Sequence, residues 1–147
     1  MKKKQLRQYL FTLLTRREYS EWELRNKLSH MTSDQDLVDE IIHEFQINGW
    51  QSDERFIKTL IDSKKYKYGP LKLKYDLNHK GIKDSNFEYL LPDNSTQLQV
   101  AINLLYKKYK TAQNTAEAKQ KYFRFLQSKG FDNEITYTSI NQFTQKK

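Results

Sequence analysis

The sequence predicts an all-α protein: an elongated, curved array of three tandem three-helix repeats, each a helix-turn-helix-like unit. Three observations carry that expectation. Apolar residues recur at helical spacing along nearly the whole chain, the period of helices that each bury one face. Only 4 Gly and 2 Pro punctuate 147 residues, too few for an all-β chain built on tight turns. Leu28, Leu77 and Leu126 are spaced 49 residues apart, as are Leu24, Leu73 and Tyr122. A period of that length belongs to stacked helical units, none large enough to bury its own face alone.

The elements follow in order. Leu6, Leu10, Leu13 and Leu14 make residues 5–16 an amphipathic helix. Ser20 and Glu23 form a capping box: the hydroxyl accepts from the third helical amide while the carboxylate reaches back to the Ser20 amide. The helix it opens carries Trp22, Leu24, Leu28 and Met31. Thr32–Asp34 restart the count, and Leu37 to Ile47 form the most apolar stripe, closed by Gly49. Ser52 caps a fourth helix with Asp53 and Glu54 in its first turn, where carboxylates suit the positive end of the dipole. Its core side is Phe56, Ile57, Leu60 and Ile61. Gly69-Pro70 opens a fifth helix, Pro being suited to a first turn that needs no donor. That helix carries Leu71, Leu73 and Leu77 and ends at Gly81.

A second box, Ser85 with Glu88, predicts a short sixth helix that Pro92 stops. Three more helices are expected over 96–110, 116–129 and 133–142, giving nine in all. The units are then 1–50, 51–92 and 93–147. The middle helix of the second and third ends in Leu-x-x-x-Gly, with Gly81-Ile82 matched by Gly130-Phe131. Thr32 stands at the corresponding position of the first unit. Lys2–Lys4 and Gln145–Lys147 are expected to fray.

Composition narrows the function. Mean hydropathy is −0.94 and 37% of residues are hydrophobic, so the core is thin; the 14% aromatic content argues against a disordered chain. The absence of Cys excludes disulfides, zinc fingers and a thiol nucleophile, and it fits a reducing cytoplasm. No apolar run approaches a membrane span, and no glycine-rich phosphate loop is present. The net charge of +8 is uneven: residues 1–54 carry 8 basic and 10 acidic side chains, whereas residues 55–147 carry 18 and 8. A basic surface of that kind draws polyanions.

Nothing in the sequence assembles a catalytic centre. His30, His43 and His79 lack metal-ligand spacing, and Asp36, Glu40 and Glu44 line one helix face as a solvated acidic stripe. The expectation is a non-enzyme without cofactor or metal. Basic residues do group with tyrosines. Lys64, Lys65, Lys67, Lys72 and Lys74 surround Tyr66, Tyr68 and Tyr75, and Lys107, Lys108 and Lys110 interleave with Tyr106 and Tyr109. Lysines neutralise phosphates and tyrosines stack on unpaired bases, which suits a nucleic-acid groove. The same pattern equally suits tyrosines at core edges covered by lysine stems. Arg55, beside Asp53 and Glu54, is read as an inter-unit salt bridge, while Arg17, Lys27 and Lys80 are candidates for exposed contacts.

Three motifs resemble the RecX family, regulators of the RecA recombinase. Arg17-Glu18-Tyr19-Ser20-x-x-Glu23-Leu24-x-x-Lys27-Leu28 resembles its opening signature. Gly49-Trp50-x-x-Asp53-Glu54-Arg55-Phe56 is similar to its Gly-aromatic element. Tyr68-Gly69-Pro70-x-x-Leu73-x-x-x-Leu77-x-x-Lys80-Gly81-Ile82 is similar to its Tyr-Gly-Pro repeat start. The resemblance runs from about Leu6 to Phe131. It implies a monomeric cytoplasmic regulator of recombination, DNA repair and the SOS response. Such a protein lies in the groove of the RecA–DNA filament and inhibits ATP turnover, strand exchange and filament extension. The partners implied are the RecA filament and the DNA within it, with Arg17, Lys27, Lys64, Lys65, Lys67, Tyr68, Lys72, Lys74, Lys80, Lys107, Lys108 and Lys110 as contact candidates. The competing reading is a direct, weakly sequence-specific DNA-binding protein. Against it, only 6 of 26 basic residues are Arg, the side chain that reads base edges bidentately.

Overall fold

The structure, a computed structural model, describes residues 2–145. Eight α-helices are present among the described residues: α1 (Lys3–Leu14), α2 (Glu21–Ser29), α3 (Gln35–Ile47), α4 (Asp53–Lys64), α5 (Pro70–Asn78), α6 (Asn94–Tyr109), α7 (Ala116–Ser128) and α8 (Asn133–Thr144). No strand occurs among the described residues. The all-helical repeat fold expected from the sequence is what forms.

Two compact units emerge. The first takes the chain up to Leu60 together with Leu77–Glu88, and the second takes Ile61–Asp76 and the chain from Tyr89 onward. In the first, Leu6 and Leu10 of α1, Leu24 and Leu28 of α2, and Ile41 and Phe45 of α3 are sealed from solvent and pack together. Phe11 and Trp50 stack edge-on near Phe45. The α2 box forms as predicted: the Ser20 amide donates to Glu23 at 3.0 Å and the Glu23 amide to the Ser20 hydroxyl at 3.2 Å. Ser52 accepts from the Arg55 amide at 3.1 Å. Arg55 itself grips Glu18 at 2.8 Å, and both residues lie in the first compact unit.

In the second unit, Leu105 of α6, Tyr122 and Leu126 of α7, and Ile135, Ile140 and Phe143 of α8 form the core with Phe131. Tyr122 is edge-on to both Tyr109 and Phe143. Its hydroxyl accepts from the Gln113 amide at 2.9 Å, so this ring does the work of a leucine and satisfies a loop donor as well.

Two expectations fail. Residues 85–91 do not form an α-helix. Two single turns of 3₁₀-helix, Asp84–Asn86 and Glu88–Leu90, stand there, and Phe87 between them leaves the helical range at φ −140°, ψ −9°. Fewer than two turns before Pro92 cannot repay the cost of nucleating an α-helix, whereas Phe87, fully buried, anchors the segment by packing. The expected fraying of Lys2–Lys4 fails too. The helix starts at Lys3, because the Gln5 side chain accepts from the Lys2 amide at 3.1 Å and Glu40 of α3 pairs with Lys3. At the other end Gln145 turns extended after α8, and Lys146 and Lys147 lie outside the described residues.

The 49-residue period reappears as geometry. In the first unit the Ser20 hydroxyl donates to the Lys80 carbonyl at 2.8 Å, and Gly81 (φ +79°) lies flat against the Cβ of Trp22. In the second unit the Gly69 amide donates to the Lys129 carbonyl at 2.7 Å and the Leu71 amide to the Gly130 carbonyl at 2.9 Å. Gly130 (φ +96°) touches the backbone of Lys72, and a side chain at Gly69 would run into the Gly130 carbonyl. The start of one helix thus receives the glycine-ended terminus of another twice, at equivalent positions.

Candidate nucleic-acid interface

The predicted contact residues form two groups. In the first unit, Arg17, Lys27 and Lys80 line one open cleft of about 310 Å³ with Trp22, Asn26 and His30. Glu23 sits at its floor, only 7% exposed. Arg17 grips it bidentately at 2.9 and 3.2 Å, Lys80 reaches it at 3.2 Å, and the Arg17 guanidinium also covers the Tyr19 ring at 3.6 Å. Burial pushes the Glu23 carboxyl up, but the hydrogen bonds from Arg17, the Ser20 amide and Lys80 outweigh it and hold the group below its ordinary value. Two of the three expected surface cations are therefore partly spent on an internal carboxylate, and Lys27, exposed on α2, is not.

The second unit holds the remainder. Lys64 at the end of α4 and Lys72 on α5 converge on Asp76, at 2.9 and 3.0 Å. Burial raises this carboxyl, and the two ammonium groups more than offset it, leaving it ionised below its ordinary range. Lys65 pairs with Asp62 and covers the Tyr66 ring, Lys67 is exposed in the following turn, and Lys74 is half-buried on α5. The reading of Tyr66 and Tyr75 as core edges fails: they are 67% and 55% exposed, and Lys72 stands 5.2 Å from the Tyr75 ring. The polar turn after α4 and the outward face of α5 give them nothing to be buried in.

Lys107, Lys108 and Lys110 occupy the end of α6, where cations suit the negative end of the helix. Lys110 closes the helix at φ +63°, the lone non-glycine residue with positive φ among those described. Lys108 lies between two rings, 5.9 Å from Tyr109 and 5.2 Å from Phe125. Lys129 lies between two as well, 5.7 Å from Phe125 and 5.1 Å from Tyr68. The result is an alternating row, Tyr68, Lys129, Phe125, Lys108, Tyr109, that joins the two basic groups separated in sequence. Sequence reasoning missed Lys129 and Phe125. Lys129 stands 49 residues after Lys80, which was singled out, so the repeat carried the signal that could have found it.

Cations held against ring faces by weak attraction, with no carboxylate in the row, bring together the side-chain types used for phosphate contact and base stacking. No group of three or more His, Asp or Glu among the described residues is placed to hold a metal ion. No described helix is long and apolar enough to cross a membrane.

Comparison with known proteins agrees with the fold. A family model described as the third three-helix domain of RecX matches residues 95–138. The protein named regulatory protein RecX in Neisseria meningitidis serogroup C is 36% identical over 137 residues, covering 93% of this chain and 90% of that protein. The one of the same name in Haemophilus ducreyi is 38% identical over 127 residues, covering 86% and 84%. Among solved structures, RecX from Lactobacillus salivarius superposes with a TM-score of 0.82 at 21% identity, covering 96% of each chain.

Proposed function

This chain belongs to the RecX family, and we propose that it is a non-enzymatic regulator that binds the RecA–DNA filament and inhibits RecA. The steps affected are ATP hydrolysis, strand exchange and filament extension in recombinational repair. The observation that carries the reading is the row of lysines and rings in the second unit, set on a chain related to named RecX regulators along nearly its whole length. A filament presents a regular polyanion and repeated protein surfaces together. A chain of repeated units can meet several of them with modest energy from each. Lys64, Lys65, Lys67, Lys72, Lys74, Lys107, Lys108, Lys110 and Lys129 take the DNA or acidic protein surface, with Tyr68 among them. Arg17, Lys27 and Lys80 meet protein.

The alternating row also favours a second reading, direct binding to DNA alone. Binding to RecA filaments on single-stranded DNA, bare single-stranded DNA and bare duplex, compared at one salt concentration, separates the two. Filament modulation predicts at least tenfold tighter binding to the filament than to either bare DNA. Equal or tighter binding to bare duplex establishes the direct DNA-binding reading instead.

A further inference from the structure

On the second unit, α7 and α8 enclose a cleft of about 390 Å³ that the lysine row does not use. The Phe123 and Tyr137 rings, 5.2 Å apart and inclined at 37°, pack on each other and together form one apolar side of it, with Ile140 beside them. Tyr137 is 58% exposed. Lys119 and Arg124 stand at its rim on α7, neither in an ion pair or side-chain hydrogen bond among the described residues, and no carboxylate lines the cleft. Glu117, the acidic residue nearest in sequence, faces a different cleft with Tyr109 and Lys121. An apolar trough with two uncommitted cations at its lip is complementary to a segment that brings apolar side chains flanked by carboxylates.

We propose that this cleft docks an acidic peptide segment of a protein partner, one or two bulky apolar side chains seated beside Ile140 and against the outer side of the Phe123–Tyr137 pair, with flanking carboxylates on Lys119 and Arg124. A nucleic acid fits less well. Two cations make no phosphate track, and the two rings pack on each other, leaving less ring face for bases. Laying an apolar anchor into a groove between helices, with charge at the rim setting the partner, is an established mode of peptide recognition.

The probe is a short fluorescein-labelled peptide of Asp and Glu with a central Phe-Leu pair, titrated with the full chain and followed by anisotropy. Binding should weaken at least tenfold in the Lys119→Glu/Arg124→Glu variant, at least threefold in Tyr137→Ala, and at least tenfold when Phe-Leu is replaced by Ser-Ser. All these positions are at least partly exposed on helix surfaces, and circular dichroism checks that the variants keep their helices. Unchanged affinity in the charge-reversed variant overturns the proposal, and so does unchanged affinity for the Ser-Ser peptide. If an oligothymidylate displaces the peptide from wild type and depends equally on Lys119 and Arg124, the occupant is nucleic acid and the proposal fails. Concentration-dependent self-association abolished by Arg124→Glu would replace the peptide with a second copy of the chain.

Discussion

Gly69 donates its amide to the carbonyl of Lys129 at 2.7 Å, and 49 residues earlier Ser20 donates its hydroxyl to the carbonyl of Lys80 at 2.8 Å. The chemistry changes from hydroxyl to amide while the place in the repeat does not. What the repeat preserves is a close approach of a glycine-ended helix terminus to a helix start, and the glycines at 81 and 130 make that approach possible.

Gly130→Ala adds a methyl group against the Lys72 backbone at φ +96°, and should cost about 2–4 kcal/mol from strain and overpacking together. Gly49→Ala, at φ +73° but facing open space, should cost about 1–2 kcal/mol from the backbone alone. Urea midpoints measure both, and equal losses would mean that contact with Lys72 does not matter.

Glu23 gives a prediction in pH. Its folded-state value lies below the ordinary 4.5, so its contribution is fully present above that value and is lost as pH falls through the depressed one. Glu23→Gln should therefore destabilise by about 1–3 kcal/mol at neutral pH. The gap to wild type should narrow as pH falls below 4.5 and through the depressed value. A gap that persists unchanged at pH 3 would show that packing, and not the Arg17 and Lys80 pairing, supplies the effect.

Asp76 restrains two of the candidate lysines. Asp76→Asn removes the charge they share, so single-stranded DNA should bind several-fold tighter. The slope of log affinity against log salt should steepen by about 0.7–1.4, the increment for one or two added phosphate contacts. Fluorescence titration of a labelled oligothymidylate at several salt concentrations reads both quantities. A slope identical to wild type would place Lys64 and Lys72 away from the nucleic acid.

Helices were legible because their signals are local. Ser20 with Glu23, Ser52, Gly69-Pro70 and Gly130 each act within a few residues of themselves, and Leu24, Leu28, Leu73 and Leu77 are all buried as their spacing required. The 85–91 segment misled because a capping box says where a helix can begin, not whether enough turns follow before a proline. The site was half legible. Lysine and tyrosine content showed, but Phe125 reads as one more apolar helix residue, and its place between Lys108 and Lys129 depends on how α6 and α7 pack. Likewise Glu23 reads as a cap, and only the fold brings Arg17 and Lys80 onto it.

The most direct measurement is RecA's DNA-dependent ATP hydrolysis while this protein is titrated well below the RecA concentration. Filament modulation predicts inhibition at substoichiometric ratios, weakened at least several-fold when Lys64, Lys65, Lys67, Lys72 and Lys74 are replaced together by Gln. Inhibition that begins only when the protein exceeds the available DNA sites, or none at all, would contradict it.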